Sequence, residues 1–435
     1  MVDPAGVSVR SPSPQSVEMV EEDEVPDRHL GTVLVTGGCG FIGHHLVHKL
    51  SIQQRENACG AIHVIDRDIS RNAFANPQIH YHQCDITNTA QVEAIMDHVQ
   101  PKVIFHTASP NAIYERRNAF WRGSFYHTNV TGTANLLRLS KRPGSSVKVF
   151  VYTSSTCVYK TDHRAPIRES APTHNGRPWP WEGVCEPVWT KGIAHNMVLD
   201  ENESWKRGGL KTIVVVPGIV YGGGDSQVLP LVFDAFQKPG IPLLKVGNGA
   251  NRASFVEAAK CADIHILAAR TLVAGGKNIA GQAYNAADGS DDVPFWWHVG
   301  LTCAAIWGWD PAATNRSRFH TIPPWVMLIV VHFVWWVCLI FTLGYVEPPL
   351  ALSLEGYKWA TKDRLLNIQS SVRSLGYVPG TVTVWHEDIV TVAVELERSR
   401  RREQRERLLG GIRPRHQEPR AQVEQGVDEG HAHAE

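Results

Sequence analysis

Residues 35–46 read VTGGCGFIGHHL, and this stretch decides the fold. It completes the apolar run GTVLVTGG that starts at Gly31, and it opens a helix-length segment, FIGHHLVHKLS (41–51). Gly37, Gly40 and Gly43 stand in G-x-x-G-x-x-G spacing, with Phe41 and Ile42 filling the last interval. A strand ending in such a turn lets the backbone come close to a pyrophosphate. The helix that begins there offers unpaired N–H groups and a positive dipole end to the phosphates. Gly37, Gly40, Phe41, Ile42 and Gly43 are therefore candidate cofactor-binding residues.

Outward from this turn the same alternation repeats. Short β-branched runs recur at AIHVID (61–66), IHYHQCD (79–85), KVIFHTAS (102–109), VKVFVYTSS (147–155) and KTIVVVPG (211–218). Helix-length stretches lie between several of them, including TAQVEAIMDHV (89–99) and NVTGTANLLRLS (129–140). Strand and helix alternating at this pitch predict an α/β fold with a doubly wound parallel Rossmann sheet. The second strand ends at Asp66, 23 residues after Gly43. A carboxylate there accepts both adenosine ribose hydroxyls and repels a 2′-phosphate, which favours NAD. The neighbouring Arg67 leaves NADP as the alternative.

At 435 residues the chain can hold one large α/β domain with a smaller appendage, or two ordinary domains. Lys plus Arg and Asp plus Glu are each 43, so no overall field points to nucleic acid. The eight cysteines stand singly, with no C-x-x-C pair, which suggests neither a zinc site nor a redox dithiol. No metal site is expected. Residues 1–30, with SPSPQS and the acidic run EEDE, read as a disordered leader without a secretory signal. Residues 31–322 read as the dinucleotide-binding domain with interleaved substrate-binding elements. Residues 323–349 hold an uncharged run from Trp325 to Val346, bracketed by proline pairs. Those 22 residues exceed the roughly 20 that span a bilayer, and a helix apolar all round needs apolar surroundings on every side. A membrane segment is expected, either spanning or lying in the interface. Residues 350–395 form the C-terminal part of a smaller substrate-binding subdomain. The tail 396–435, with nine arginines against three glutamates between Arg398 and Arg420, reads as disordered.

These motifs resemble the extended short-chain dehydrogenase/reductases, and more narrowly the group of 3β-hydroxysteroid and decarboxylating sterol-4α-carboxylate 3-dehydrogenases. The landmarks are TGGCGFIG, CDIT, HTAS, NVTGTANLL, YTSSTCVY, PGIVYGGGD, SFVEAAKCADIHILAA and the late SVRSLGYVP. The resemblance covers residues 31–395. It implies that Asp85 and Ile86 flank the adenine, and that Thr107, Ala108 and Ser109 line the phosphate and ribose side. It implies that Asn129 sits on the central helix behind the active site and that Ser155 bonds the substrate oxygen. Pro217 and Gly218 match the turn beside the nicotinamide. It further implies a lipophilic substrate, an endoplasmic reticulum membrane with the NAD-binding domain toward the cytosol, and room for a homodimer.

One stretch departs from the family. In EPVWTKGIAH (186–195), Lys191 matches the lysine of the catalytic Tyr-x-x-x-Lys, but the tyrosine position is Pro187. The family's tyrosine transfers the proton, while the lysine lowers its pKa and holds the ribose. A lost acid/base of this kind costs about 10²–10⁴-fold. Proline suits a helix's first turn, so the helix can start later than usual. Glu186, His163, His174, Cys185 and Tyr159 are the candidate substitutes, and Trp179, Trp181 and Trp189 are candidate walls of an apolar pocket. Three readings stay open: a redox enzyme with Ser155 and Lys191 in its site, a non-redox lyase, isomerase or cyclase, and a non-catalytic NAD-binding protein.

Overall fold

In the computed structural model the chain describes residues 28–110 except 71, then 124–160, 165–178, 184–225, 243–289, 294–300 except 298, 319–342 and 348–380, with the isolated positions 394 and 398. Residues 1–27 of the expected leader, the tail apart from position 398, Trp179, Trp181 and His163 lie outside these residues; the last residue of that leader, Leu30, is instead fully buried in the main core, its N–H donating to the Ala58 carbonyl at 3.2 Å.

Seven parallel strands form the central sheet: β1 (Val33–Thr36), β2 (Ile62–Asp66), β3 (Ile79–Gln83), β4 (Val103–His106), β5 (Val149–Thr153), β6 (Lys211–Pro217) and β10 (Gln282–Ala286). Their order is β3-β2-β1-β4-β5-β6-β10. The apolar runs become strands because helices cover both sheet faces, so β1, β4 and β5 are buried at every residue. On one face Val33 and Val35 pack with Leu46 and Leu50 of α1 (Phe41–Arg55) and with Ala262 and Ile266 of a later helix, Ala258–Val273. On the other, Leu34 and Ile104 pack with Met96 of α2 (Thr89–Val99), Leu136 of α3 (Thr133–Ser140) and Val198 of α4 (Glu186–Asp200). The Ala258–Val273 helix is α5. The strand order reverses between β1 and β4, which opens a crevice at the strands' carboxyl ends.

Two further parallel pairs lie outside this sheet: β7 (Ile219–Tyr221) with β9 (Phe255–Glu257), and β8 (Leu243–Val246) with β11 (Phe319–Ile322). After β11 the apolar helix α6 (Pro324–Thr342) packs against α7 (Leu354–Thr361) and the turn Leu350–Leu352. Val331 is buried in that contact face, while Trp325, Ile329, Phe333, Trp336 and Ile340 stay 54–67% exposed. The chain then returns to the large sheet through α8 (Gln369–Leu375). Leu366, Leu375 and Tyr377 enter the two main cores, and the Tyr377 hydroxyl donates to the Ala287 carbonyl at 3.2 Å. The late landmark SVRSLGYVP is thus held by the dinucleotide-binding sheet.

Candidate functional site

The β1–α1 turn is built by close approach. Gly37 adopts φ +70°, and a Cβ there would stand 2.6 Å from the Ala108 Cα; one on Gly43 would stand 2.1 Å from the Gly37 carbonyl oxygen. Helix α1 then starts at Phe41 with Gly40 as its N-cap and no side-chain cap, leaving its first N–H groups to whatever occupies the turn. Asp66 lies beside it. One carboxylate oxygen accepts the Cys39 N–H at 3.1 Å and the other accepts the Asp68 N–H at 3.3 Å. Burial raises the Asp66 pKa, against the pull of these amides. Asp85 accepts from the Thr87 N–H and hydroxyl at 2.9 and 2.8 Å, fixing the loop that presents Ile86.

A directed chain of hydrogen bonds holds the β1 and β4 ends. Thr133 donates to the Asn129 carbonyl at 2.5 Å, so its oxygen accepts the His106 Nε2–H at 2.9 Å. His106 Nδ1 then accepts the Thr36 hydroxyl at 2.7 Å. Burial drives the His106 pKa down to about 3, which keeps this ring neutral. Ser109 donates to Asn129 Oδ1 at 2.9 Å, and Asn129 Nδ2 donates to Thr190 at 3.0 Å. Thr190 in turn donates to the Glu186 carbonyl at 2.7 Å. Asn129 therefore ties the end of β4 to the first turn of α4, from within a π-helical turn at His127–Gly132.

One cleft of about 650 Å³ collects the sequence-predicted residues. Gly37, Gly40, Phe41, Ile42, Gly43, Asp66, Asp85, Ile86, Thr107, Ala108, Ser109, Ser155, Lys191, Pro217 and Gly218 all line it. So does Pro187, which lies in the first turn of α4. The helix begins at Glu186, so the proline falls within its first turn and its side chain forms part of the cleft wall. Lys191, one turn on, is only 8% exposed and no hydrogen-bond or ion-pair partner meets its ammonium among the described residues. Its Nζ lies 4.8 Å from the Tyr152 ring centroid, and burial lowers its pKa from 10.5 to about 7.

The two serines of YTSS part company. Ser154 is buried and its hydroxyl shares a 2.9 Å hydrogen bond with His195 Nδ1. Ser155 faces the cleft and caps the short turn Thr156–Val158, accepting weakly from the Cys157 N–H at 3.4 Å. On the far side Thr153 bonds His265 Nε2 at 2.7 Å; His265 Nδ1 donates to the Cys261 carbonyl at 2.6 Å, so the Thr153 hydroxyl is the donor to Nε2.

The substitutes for the missing phenol do not gather here. Glu186 is turned to the Tyr126 N–H at 3.3 Å, Tyr159 is buried with its hydroxyl donating to Asn285 at 3.1 Å, and neither lines the cleft. His174 and Cys185 are also outside its wall. Trp189 sits tilted against Tyr126, ring centroids 6.1 Å apart, rather than walling the pocket. Among the described residues the tryptophan that lines the cleft is Trp359, 170 residues beyond Trp189 and marked by no motif. Thr128, Thr156 and Cys157 also line the cleft without having been singled out. Among the described residues no group of three His, Cys, Asp or Glu side chains forms a metal site.

Sheet order, glycine turn and crevice define a Rossmann-fold protein with a dinucleotide-type cleft. Comparison with known proteins narrows this. The chain belongs to the 3-beta hydroxysteroid dehydrogenase/isomerase family, whose model matches residues 34–313. It is 29% identical over 254 residues to a decarboxylating sterol-4-alpha-carboxylate 3-dehydrogenase of Saccharomyces cerevisiae, covering 56% of this chain and 66% of that one. With human 3 beta-hydroxysteroid dehydrogenase type 7 it shares 30% identity over 273 residues, covering 59% and 68%. Among solved structures it is similar to the dTDP-glucose 4,6-dehydratase of Bacillus anthracis in complex with NAD. That match has a TM-score of 0.56 and 19% identity, and covers 84% of this chain and 95% of the other. The match to the yeast relative spans just under two thirds of its length.

Proposed function

We propose that the protein binds NAD in this cleft and exchanges a hydride with a ring alcohol or ketone of a sterol, triterpenoid or similar lipophilic molecule at a membrane. The observation that carries this reading is a single continuous cleft from the uncapped start of α1 and Asp66 to Ser155, Lys191 and Trp359. The residues fit the cofactor: bare amides for the pyrophosphate, a carboxylate for the ribose hydroxyls, and Ile86 for the adenine. Bound NAD supplies the hydride acceptor. Ser155 holds the substrate oxygen, Lys191 lies beside the ribose, and Trp359 offers an apolar wall. The names of the two relatives, a sterol-4-alpha-carboxylate 3-dehydrogenase and a 3 beta-hydroxysteroid dehydrogenase, support the substrate class.

The exposed row on α6 supports membrane attachment, since few soluble surfaces leave so many large apolar side chains in water. Its other face lies on α7, which carries Glu355 and Lys358. A polar neighbour favours a helix lying in one leaflet over one that spans, because spanning draws those charges toward bilayer depth. The endoplasmic reticulum, with the dinucleotide domain in the cytosol, fits a sterol substrate delivered from that leaflet.

Pro187 in the cleft wall favours one second reading, a non-redox lyase or isomerase on the same scaffold. Mixing detergent-solubilised protein with NAD and sterol alcohols, or NADH and the ketones, decides between them. Substrate-dependent change in nicotinamide absorbance is expected; substrate conversion without it selects the second reading. Asp66→Ala should erase the preference for NAD over NADP in equilibrium binding.

A further inference from the structure

We propose that Lys191 itself takes the hydroxyl proton when the substrate alcohol is oxidised, in the place of the phenol that Pro187 removes. The inference rests on the redox reading above.

Position comes first. Pro187 and Lys191 are one helical turn apart and both line the cleft. Helical side chains lean toward the helix N-terminus, so Lys191 covers the turn that contains residue 187. A tyrosine at 187 would stand between the amine and the substrate oxygen held at Ser155. Proline leaves that path open, and lysine and tyrosine side chains have comparable reach.

The surroundings free the amine to act as a base. From β5 the Tyr152 face lies beneath it. His106 from β4 and His265 from α5 are near enough to feel its charge, and both are neutral rings bound to their own partners. No carboxylate pairs with it among the described residues, and burial alone brings it to about 7. An unpaired amine near neutrality has the driving force that general acid–base catalysis needs. Other groups nearby are engaged or mismatched. The His195 Nδ1 is held by Ser154, and burial raises the Cys157 thiol. Tyr152 is completely buried, behind the cleft wall.

In the oxidising direction the O–H bond breaks and an N–H bond forms on the neutral Lys191 amine. The oxygen's electrons form the C=O bond, and the carbinol C–H pair leaves as hydride to the bound dinucleotide. The ammonium then gives its proton to water at the cleft mouth, so atoms and charge balance.

Two measurements test this. Competitive acetylation of the ligand-free protein across pH, read by peptide mass mapping, should give Lys191 a reactivity midpoint near 7, well below that of exposed lysines. Lys191→Arg, with Lys191→Gln as a second variant if arginine disturbs folding, should lose turnover by about 10²–10⁴-fold together with the neutral-pH limb, with no fall in the melting temperature of the Gln variant. Adding Pro187→Tyr to Lys191→Arg should restore turnover. A Lys191 midpoint among the exposed lysines, or turnover and pH profile unchanged in both Lys191 variants, overturns the proposal and leaves the redox reading standing. Absence of nicotinamide turnover in the wild type and in Pro187→Tyr alike overturns both.

Discussion

Ser154 and His195 meet at 2.9 Å, a buried hydroxyl against Nδ1 of a buried ring 41 residues further along the chain. His195 stands one turn after Lys191 on α4 and reaches back to the end of β5. The contact anchors α4, and with it Lys191, to the strand that presents Ser155.

The adjacent serines should therefore fail in different ways. Ser155→Ala removes the hydroxyl proposed to hold the substrate oxygen, and turnover should fall about 10²-fold with little change in melting temperature. Ser154→Ala strands His195 Nδ1 without a partner and should cost about 1–3 kcal/mol in urea unfolding. Equal effects of the two substitutions on stability would remove the distinction.

The core histidines set the acid limit of the fold. Burial lowers His106 from 6.5 to about 3, and His195 and His265 from 6.5 to about 4. As pH falls below 6.5 the unfolded chain protonates these rings while the folded chain does not. Their contribution is thus full above 6.5 and is lost progressively as pH drops toward 4. Urea midpoints measured across this window should fall steadily with acidification, and unfolding should take up protons. A flat profile would show these rings to be solvated.

Much of this was legible in the sequence because the central strands are buried on both faces and read as unbroken apolar runs. The glycine spacing likewise dictates close backbone approach, and Pro187 announces a helix's first turn. What stayed hidden depends on distance along the chain. β10, QAYNA, is short and mixes Gln and Asn with small residues, so it carries no apolar run. Trp359 reaches the cleft only because the chain folds back after α6. The Ser109–Asn129–Thr190 links join three elements through side chains that, taken singly, are ordinary polar residues.

Lys191 should be a liability in the empty protein. Below about 7 it is charged in both folded and unfolded chains, and the full cost of burying the ammonium weighs on the fold. Between 7 and 10.5 the folded chain releases the proton first, and that cost fades. Lys191→Met should accordingly stabilise the ligand-free protein, most at and below neutral pH and hardly at all in strong alkali. Urea unfolding at both extremes measures it. A destabilised variant at neutral pH would mean that the ammonium has a partner in solution.

The apolar row on α6 makes the membrane reading quantitative. Trp325, Ile329, Phe333, Trp336 and Ile340 recur at spacings of four, four, three and four, which is one face of a helix. Buried together in a bilayer they would hold the protein through apolar area alone, each large side chain adding about 1.5–3 kcal/mol. Changing Phe333 and Trp336 together to Ser should cut binding to phosphatidylcholine vesicles by roughly two to four orders of magnitude, while NAD binding stays as in the wild type. If the helix lies in one leaflet, alkaline carbonate should also release the wild-type protein from membranes. A wild-type protein that resists this wash, with the double variant still membrane-bound, would identify α6 as a spanning helix whose far face is also in lipid.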